Sequence, residues 1–143
     1  AAAVRCVRCG EPGDKVMLEQ LLAHLVGDYL LQSDWMAQQK TTRDLAALCH
    51  ALTYTLPFLV LGASASSIAA ICLTHLVIDR FRLARFVCFA KNFLAPPSQW
   101  PTWDRCMVTG YDFDRPPWLA VWLLIIADNT MHLLCNYAAL RWL

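Results

Sequence analysis

Four apolar stretches, at residues 18–37, 44–61, 64–84 and 117–140, are separated by short polar or small-residue segments. Each approaches the ~20 residues that a helix needs to cross the hydrocarbon of a bilayer. The last, PWLAVWLLIIADNTMHLLCNYAAL, is the most continuous, whereas Glu19, His24, Asp28 and Asp34 depress the hydropathy of the first. The tight link at 40–43 and the small-residue link at 62–67 return consecutive helices antiparallel to one another. The pattern predicts an all-α chain, an integral membrane bundle of four transmembrane helices.

The longer connection between the third and fourth stretches has a different character. FRLARFVCFAKNFL alternates cations with Phe and Leu, as in an amphipathic helix lying at a membrane surface. The following APPSQWPTWDRCMVTGYDFDRPPW is rich in Pro, Trp and Asp and reads as a folded loop. Pro116 and Pro117 suit the start of the last helix, where a missing N–H is tolerated. Trp100, Trp103, Tyr111 and Trp118 suit an interfacial belt. Lys40, Arg43, Arg80, Arg82, Arg85, Lys91, Arg105 and Arg115 all fall in or beside the first and third connections, and the second connection carries no cation. The positive-inside rule then puts the first and third connections in the cytoplasm and both termini outside.

Residues 1–16 differ from the rest. They show little periodicity and contain Gly10, Pro12 and Gly13, so a disordered or non-native leader is expected there, with Met17 as the natural start and the bundle over 17–143. Cys6 and Cys9 form one CxxC without a second pair, which leaves a zinc ribbon unsupported. Composition sharpens the membrane reading. A chain of 143 residues that is 58% hydrophobic and only 16% charged is too oily for an ordinary soluble domain of this size. A net charge of +1 leaves no basic field for nucleic acid, which is not expected as a partner. The seven cysteines are odd in number, and Cys49, Cys72, Cys88 and Cys135 lie inside apolar runs, so they read as small hydrophobes and not as a disulfide framework.

The candidate chemistry is written inside the oily stretches. The first holds His24 and Asp28, the second His50, the third His75 and Asp79, the fourth Asp128 and His132. Each His–Asp pair is spaced by four, which puts both side chains on one helix face. Counted at ~1.5 Å per residue from the cytoplasmic ends, these groups fall roughly 6–18 Å deep, a range antiparallel helices bring to one level. A carboxylate at mid-membrane costs about 2.5–3.5 kcal/mol even on the lenient insertion scale. A lone buried His is ordinarily a hydrogen-bonded packing residue, but seven such groups together point to a divalent metal centre. His24, Asp28, His50, His75, Asp79, Asp128 and His132 are its candidate ligands, for one or two ions, zinc foremost and manganese or iron as alternatives. Gln32, Tyr54, Asn129 and Asn136 are candidates for orienting those ligands. Arg80 and Arg82 are candidates for binding an anion at the cytoplasmic mouth, although membrane anchoring is the plainer role for them, as it is for Lys40 and Arg43.

The combination HLVGDYLLQSDW, HALTY and THLVIDR, with a late Asp-x3-His, resembles an uncharacterised family of small bacterial and phage integral membrane proteins, catalogued as domain of unknown function number 3307. The residues that carry the resemblance are His24, Asp28, Tyr29 and Gln32, then His50, then His75, Asp79 and Arg80, and finally Asp128 and His132. The resemblance runs from about Met17 to the end of the fourth stretch, leaving out the leader and much of 86–116, and it implies a fold without an activity. The polar pattern is also similar, more loosely, to small membrane-bound metal-dependent hydrolases.

Two functions of different class follow. The first is a metal-dependent hydrolase of a lipid or lipid-linked phosphoester in the bacterial cytoplasmic (inner) membrane, with Asp28, Asp79 and Asp128 as catalytic candidates and membrane lipid as partner. The second is a divalent-cation or proton binding or transport protein, which with so few spans would need a homo-oligomer. An envelope protein with a structural metal is a third reading. Bis-histidine haem is disfavoured, because three aspartates do not suit an apolar haem pocket.

Overall fold

The computed structural model describes residues 12–143, with side chains from Met17 onward. The expected leader over 1–16, with its CxxC pair, lies outside the described residues apart from the backbone of 12–16. Helix α1 spans Pro12–Leu25 and runs into a π-helical turn, Val26–Leu30. After it come α2 (Asp34–Gln39), α3 (Asp44–Val60), α4 (Ala65–Phe81), α5 (Ala84–Lys91), two 3-10 turns (Asn92–Leu94 and Pro97–Gln99), α6 (Trp103–Cys106) and α7 (Pro117–Trp142). Among the described residues there is no strand, so the all-α expectation holds.

Local chemistry explains the boundaries. The Ser33 hydroxyl accepts from Met36 N at 3.3 Å and starts α2, while Ser64 does the same for Ser67 N at 3.1 Å and starts α4. Helix α4 stops where Arg82 takes a left-handed conformation (φ 52°). There Leu83 N bonds Ile78 O at 2.9 Å, the wrap-up that closes many helices. Pro117 opens α7 at the position where its missing N–H does no harm. The expected single helix over 18–37 is the main departure. The π turn adds a residue to the helical repeat, the path breaks at Leu31–Ser33, and the Ser33 cap launches α2 as a separate element.

Helix α1 packs on α3 and α7, and α4 packs on the same two, so α1, α3, α4 and α7 close into a four-helix ring. Helix α2 lies against α3, and α5 against α7. Small residues on α3 (Ala46, Ala47 and Ala51, all fully buried) let the helices approach. Towards one end the ring is filled by Ala23, Tyr54, Phe58, Ile71 and Ala139. The polarity is inverted relative to a water-soluble bundle. Leu45, Leu52, Leu59 and Val60 of α3 and Trp118, Trp122 and Ile126 of α7 are each more than half exposed, while His24, His50, His75, Asp79, His132 and Asn136 are at most 5% exposed.

Among the described residues one helix, α7 with 26 residues, is long and apolar enough to cross a membrane. Helix α3 is apolar but has 17 residues, α4 also has 17, and α1 is interrupted, so the expectation of four full spans is met in length by α7 alone. The cysteines at 49, 72, 88, 106 and 135 are free thiols, Cys88 and Cys106 buried and the others half-buried.

The segment between α5 and α7 is folded, as its composition implied. Trp103 stacks on Phe86 (5.1 Å between ring centroids), and Trp100 Nε1 donates to Ala95 O at 2.7 Å. Arg105 grips Asp112 at 2.6 and 2.8 Å and also reaches Asp114. The guanidinium holds the Asp112 carboxyl below its usual range, so this pairing is present at neutral pH and fails as pH falls through that lowered value. Gly110 fastens the loop to α5: its φ is +82°, its carbonyl accepts from Asn92 Nδ2 at 2.9 Å, and an added Cβ would lie 2.2 Å from Arg85 O. Gly110→Ala is therefore expected to destabilise the fold by at least ~2 kcal/mol through the left-handed backbone and the clash together, read as a lower thermal midpoint in detergent.

Candidate metal centre

The four ring helices deliver their polar side chains to one level. His24 lies at the end of α1 and Asp28 in the π turn, His50 in the first half of α3, His75 and Asp79 in the last turns of α4, and Asp128 and His132 near the middle of α7. Antiparallel packing makes these positions coincide. The close approach depends on Gly27, where a Cβ would lie 2.6 Å from the Tyr54 ring.

Asp79 is the centre of the cluster. Its Oδ2 lies 3.1 Å from His50 Nε2 and 3.1 Å from His75 Nε2, and those two nitrogens are 2.9 Å apart. Its other oxygen, Oδ1, lies 3.4 Å from His132 Nε2, which is also 3.4 Å from Asp128 Oδ2. Asp28 Oδ1 closes the first group, 3.3 Å from His50 Nε2 and 3.5 Å from His75 Nε2. Four ligands at ~2.0–2.1 Å from a zinc ion stand about 3.3 Å from one another, so these spacings are those of a donor set around a cation. Among the described residues, Asp28 Oδ1 and His132 Nε2 are buried without a hydrogen-bond partner, and Asp79 Oδ2 is met only by the Lys40 ammonium and the two imidazoles. Unpaired donor atoms converging at such distances fit a divalent ion better than they fit packing.

Three groups have ligand atoms within 4.8 Å of one another: His50, His75 and Asp79; Asp79, Asp128 and His132; and Asp28, His75 and His132. Asp79 belongs to the first two and offers a different oxygen to each, the arrangement of a carboxylate able to bridge two ions. Six of the seven ligand candidates thus stand together. His24 is placed differently, because both its ring nitrogens are engaged, Nδ1 with Tyr54 Oη at 2.9 Å and Nε2 with Asn129 Oδ1 at 3.0 Å. Its nearest carboxylate is Asp28 Oδ2 at 3.4 Å, so it borders the donors.

Three of the four residues expected to orient ligands, Asn129, Tyr54 and Asn136, are joined through His24 in one chain of hydrogen bonds. Asn129 Nδ2 donates to Tyr29 Oη at 2.8 Å, and with its amide so turned, Asn129 Oδ1 accepts from His24 Nε2. In neutral His24 the Nδ1 atom then accepts from the Tyr54 hydroxyl, whose oxygen accepts from Asn136 Nδ2 at 2.6 Å. Tyr54 also stacks on His75 at 3.7 Å and is fully buried. Gln32 acts elsewhere, accepting from Lys40 Nζ at 2.8 Å.

The cations divide. Arg80 is tied to Asp44 Oδ1 at the start of α3 (2.6 Å) and to Thr41 O (2.9 Å), and it does not line the cavity beside the cluster, so its reading as an anion-binding group finds no support there. Arg82 does line that cavity, with Nη2 donating to Val108 O at 2.8 Å. Sequence reasoning missed Lys40, read there as an anchor. Its ammonium lies 2.9 Å from Asp79 Oδ2 and 3.2 Å from His50 Nε2. No periodicity could have marked it, because α2 folds back only after the break at Leu31–Ser33. The cavity holds about 250 Å³ and brings Asp28, Asp79 and Asp128 to face Lys40 and Arg82, with Leu124 and Ile125 on its apolar side.

The chain belongs to a family of proteins of unknown function (DUF3307), whose model matches residues 16–102. The match contains His24, Asp28, His50, His75, Asp79 and Lys40, and it stops short of α7, so Asp128 and His132 lie beyond it. No curated protein and no solved structure matches the chain.

Tyr54→Phe should destabilise the bundle by roughly 1–3 kcal/mol, because it strands the Asn136 amide and His24 Nδ1 in a buried site. Thermal unfolding in detergent measures this, and a loss below ~0.5 kcal/mol would show that the chain of hydrogen bonds does not hold the site.

Proposed function

We propose that this protein is an intramembrane, metal-dependent hydrolase of a lipid or lipid-linked phosphoester. The observation that carries the reading is the convergence of imidazole and carboxylate donors around Asp79, beside a cavity that also presents Lys40 and Arg82. His50, His75 and Asp79 would hold one ion, and Asp79, Asp128 and His132 a second. Bound there, divalent ions lower the pKa of a water ligand towards ~7 and neutralise charge on a phosphoryl group. Asp28 lines the cavity beside the first donor group and is the best-placed general base.

The inverted polarity of the ring supports a bilayer setting, with the apolar faces of α3 and α7 against lipid and the ionisable groups turned inward. In that setting α7 spans the membrane, the other ring helices form the rest of a multi-pass bundle, and α5 with its loop lies on the cytoplasmic side where Arg82, Arg85, Lys91, Arg105 and Arg115 are gathered. A cavity of this size takes a phosphate-sized head group, while Leu124 and Ile125 lead from it towards the apolar exterior. With divalent ions offsetting Asp28, Asp79 and Asp128, Lys40 and Arg82 would favour an anionic occupant, which weighs against a path for free cations.

Purified in mild detergent, the protein is expected to carry one or two equivalents of a divalent metal by mass spectrometry, and no Soret band in a visible scan. Asp79→Asn should abolish that metal, since it removes the negative charge shared by both donor groups and puts an amide nitrogen in place of one of the two oxygens. A screen of lipid phosphoesters should then find metal-dependent phosphate release that disappears in Asp79→Asn. Absence of stoichiometric metal, or a haem spectrum, overturns the proposal.

A further inference from the structure

Lys40 stands in an unusual place for a lysine. Its ammonium touches Asp79 Oδ2 at 2.9 Å and His50 Nε2 at 3.2 Å, the two atoms that also define the first donor group with His75. Its third contact is Gln32 Oε1 at 2.8 Å. A divalent ion held by those donors would lie about 2 Å from each of them, and so only a few ångströms from the ammonium. Two cations that close in a part-buried site repel strongly, so the ion and the ammonium exclude one another from Asp79 Oδ2.

The surrounding structure gives the ammonium somewhere to go. Lys40 caps α2, a helix of six residues with none buried, joined to α1 through the break at Leu31–Ser33. The lysine stem is long and freely rotating, and it already lines the 250 Å³ cavity together with Thr41 and Arg82. Arg82, also on the lining of that cavity, is held by its bond to Val108 O. Swung away from Asp79, the ammonium would share the cavity with this guanidinium, and two cations on one small cavity suit a phosphate group.

We propose that Lys40 is a built-in counter-cation of the donor cluster, which a divalent ion displaces, and that the displaced ammonium then holds the anionic group of the substrate beside Arg82. The inference rests on the metal-centre reading and adds to it a residue that serves the apo protein and the substrate complex in turn. It also keeps the buried carboxylates compensated before the ion arrives.

The test uses the full chain in mild detergent. Mn²⁺ is titrated while free ion is followed by electron paramagnetic resonance, and inorganic phosphate is then titrated calorimetrically into the Mn²⁺-loaded protein. Lys40→Met and Lys40→Gln are both expected to bind Mn²⁺ on the order of tenfold more tightly than wild type, and phosphate on the order of tenfold more weakly. Arg82→Met removes a nearby cation that does not touch the donors, so it should leave Mn²⁺ affinity within about threefold while weakening phosphate. Unchanged or weaker Mn²⁺ binding in both Lys40 variants, with a metal-binding wild type, overturns this inference alone. Equal tightening in Arg82→Met does the same, because it reduces the effect to a general field. A wild type that takes up no Mn²⁺ removes the metal-centre reading and this inference with it.

Discussion

The carboxylate of Asp79, buried in the middle of a helix ring, is the constraint from which the rest of the arrangement follows. An ionised carboxylate taken out of water without partners costs several kcal/mol, more than a bundle of this size can spare. Its compensation comes from every side: His50 on α3, His75 one turn back on α4, His132 on α7 and Lys40 at the end of α2. These groups reach Asp79 only if the helices sit at one particular relative height. The polar cluster therefore sets the register of the ring, which apolar contacts alone would leave free to slide.

A second set of contacts turns that register into a rigid site. Tyr54 is stacked against His75 and hydrogen-bonded through its hydroxyl to His24 and Asn136, so one side chain of α3 ties α1, α4 and α7 together. The Gly27 backbone lies close enough against that ring to exclude even a methyl group, and the π turn around it aims Asp28 at the donors. Local irregularity and functional geometry coincide here, as they do at the left-handed Arg82, which ends α4 and faces the cavity.

The chemistry of the centre and its surroundings point the same way. Imidazoles and carboxylates spaced at about 3 Å favour a divalent cation; the neighbouring ammonium and guanidinium favour an anion; the exposed leucines and tryptophans outside favour lipid. The proposed hydrolase of membrane-lipid phosphoesters would use all three at once. Family membership adds no activity to this argument, and its match ends before α7, so the contribution of Asp128 and His132 stands on their geometry.

Much of this was legible in the chain itself. The helical stretches, the placing of one histidine in each and the four-residue spacing to an aspartate all follow from periodicity, because residues four apart on a helix share a face whatever the fold. What periodicity cannot convey is how faces meet. The break after Leu31, the return of Lys40 into the cluster, the diversion of Arg80 to Asp44 and the withdrawal of His24 into hydrogen bonds with Tyr54 and Asn129 depend on contacts between segments 10 to 105 residues apart. The sequence alone determined which groups would need partners in an apolar interior. Only the tertiary structure decided which partner each received, because that choice is made by distances of about 3 Å between helices that the chain order leaves unspecified.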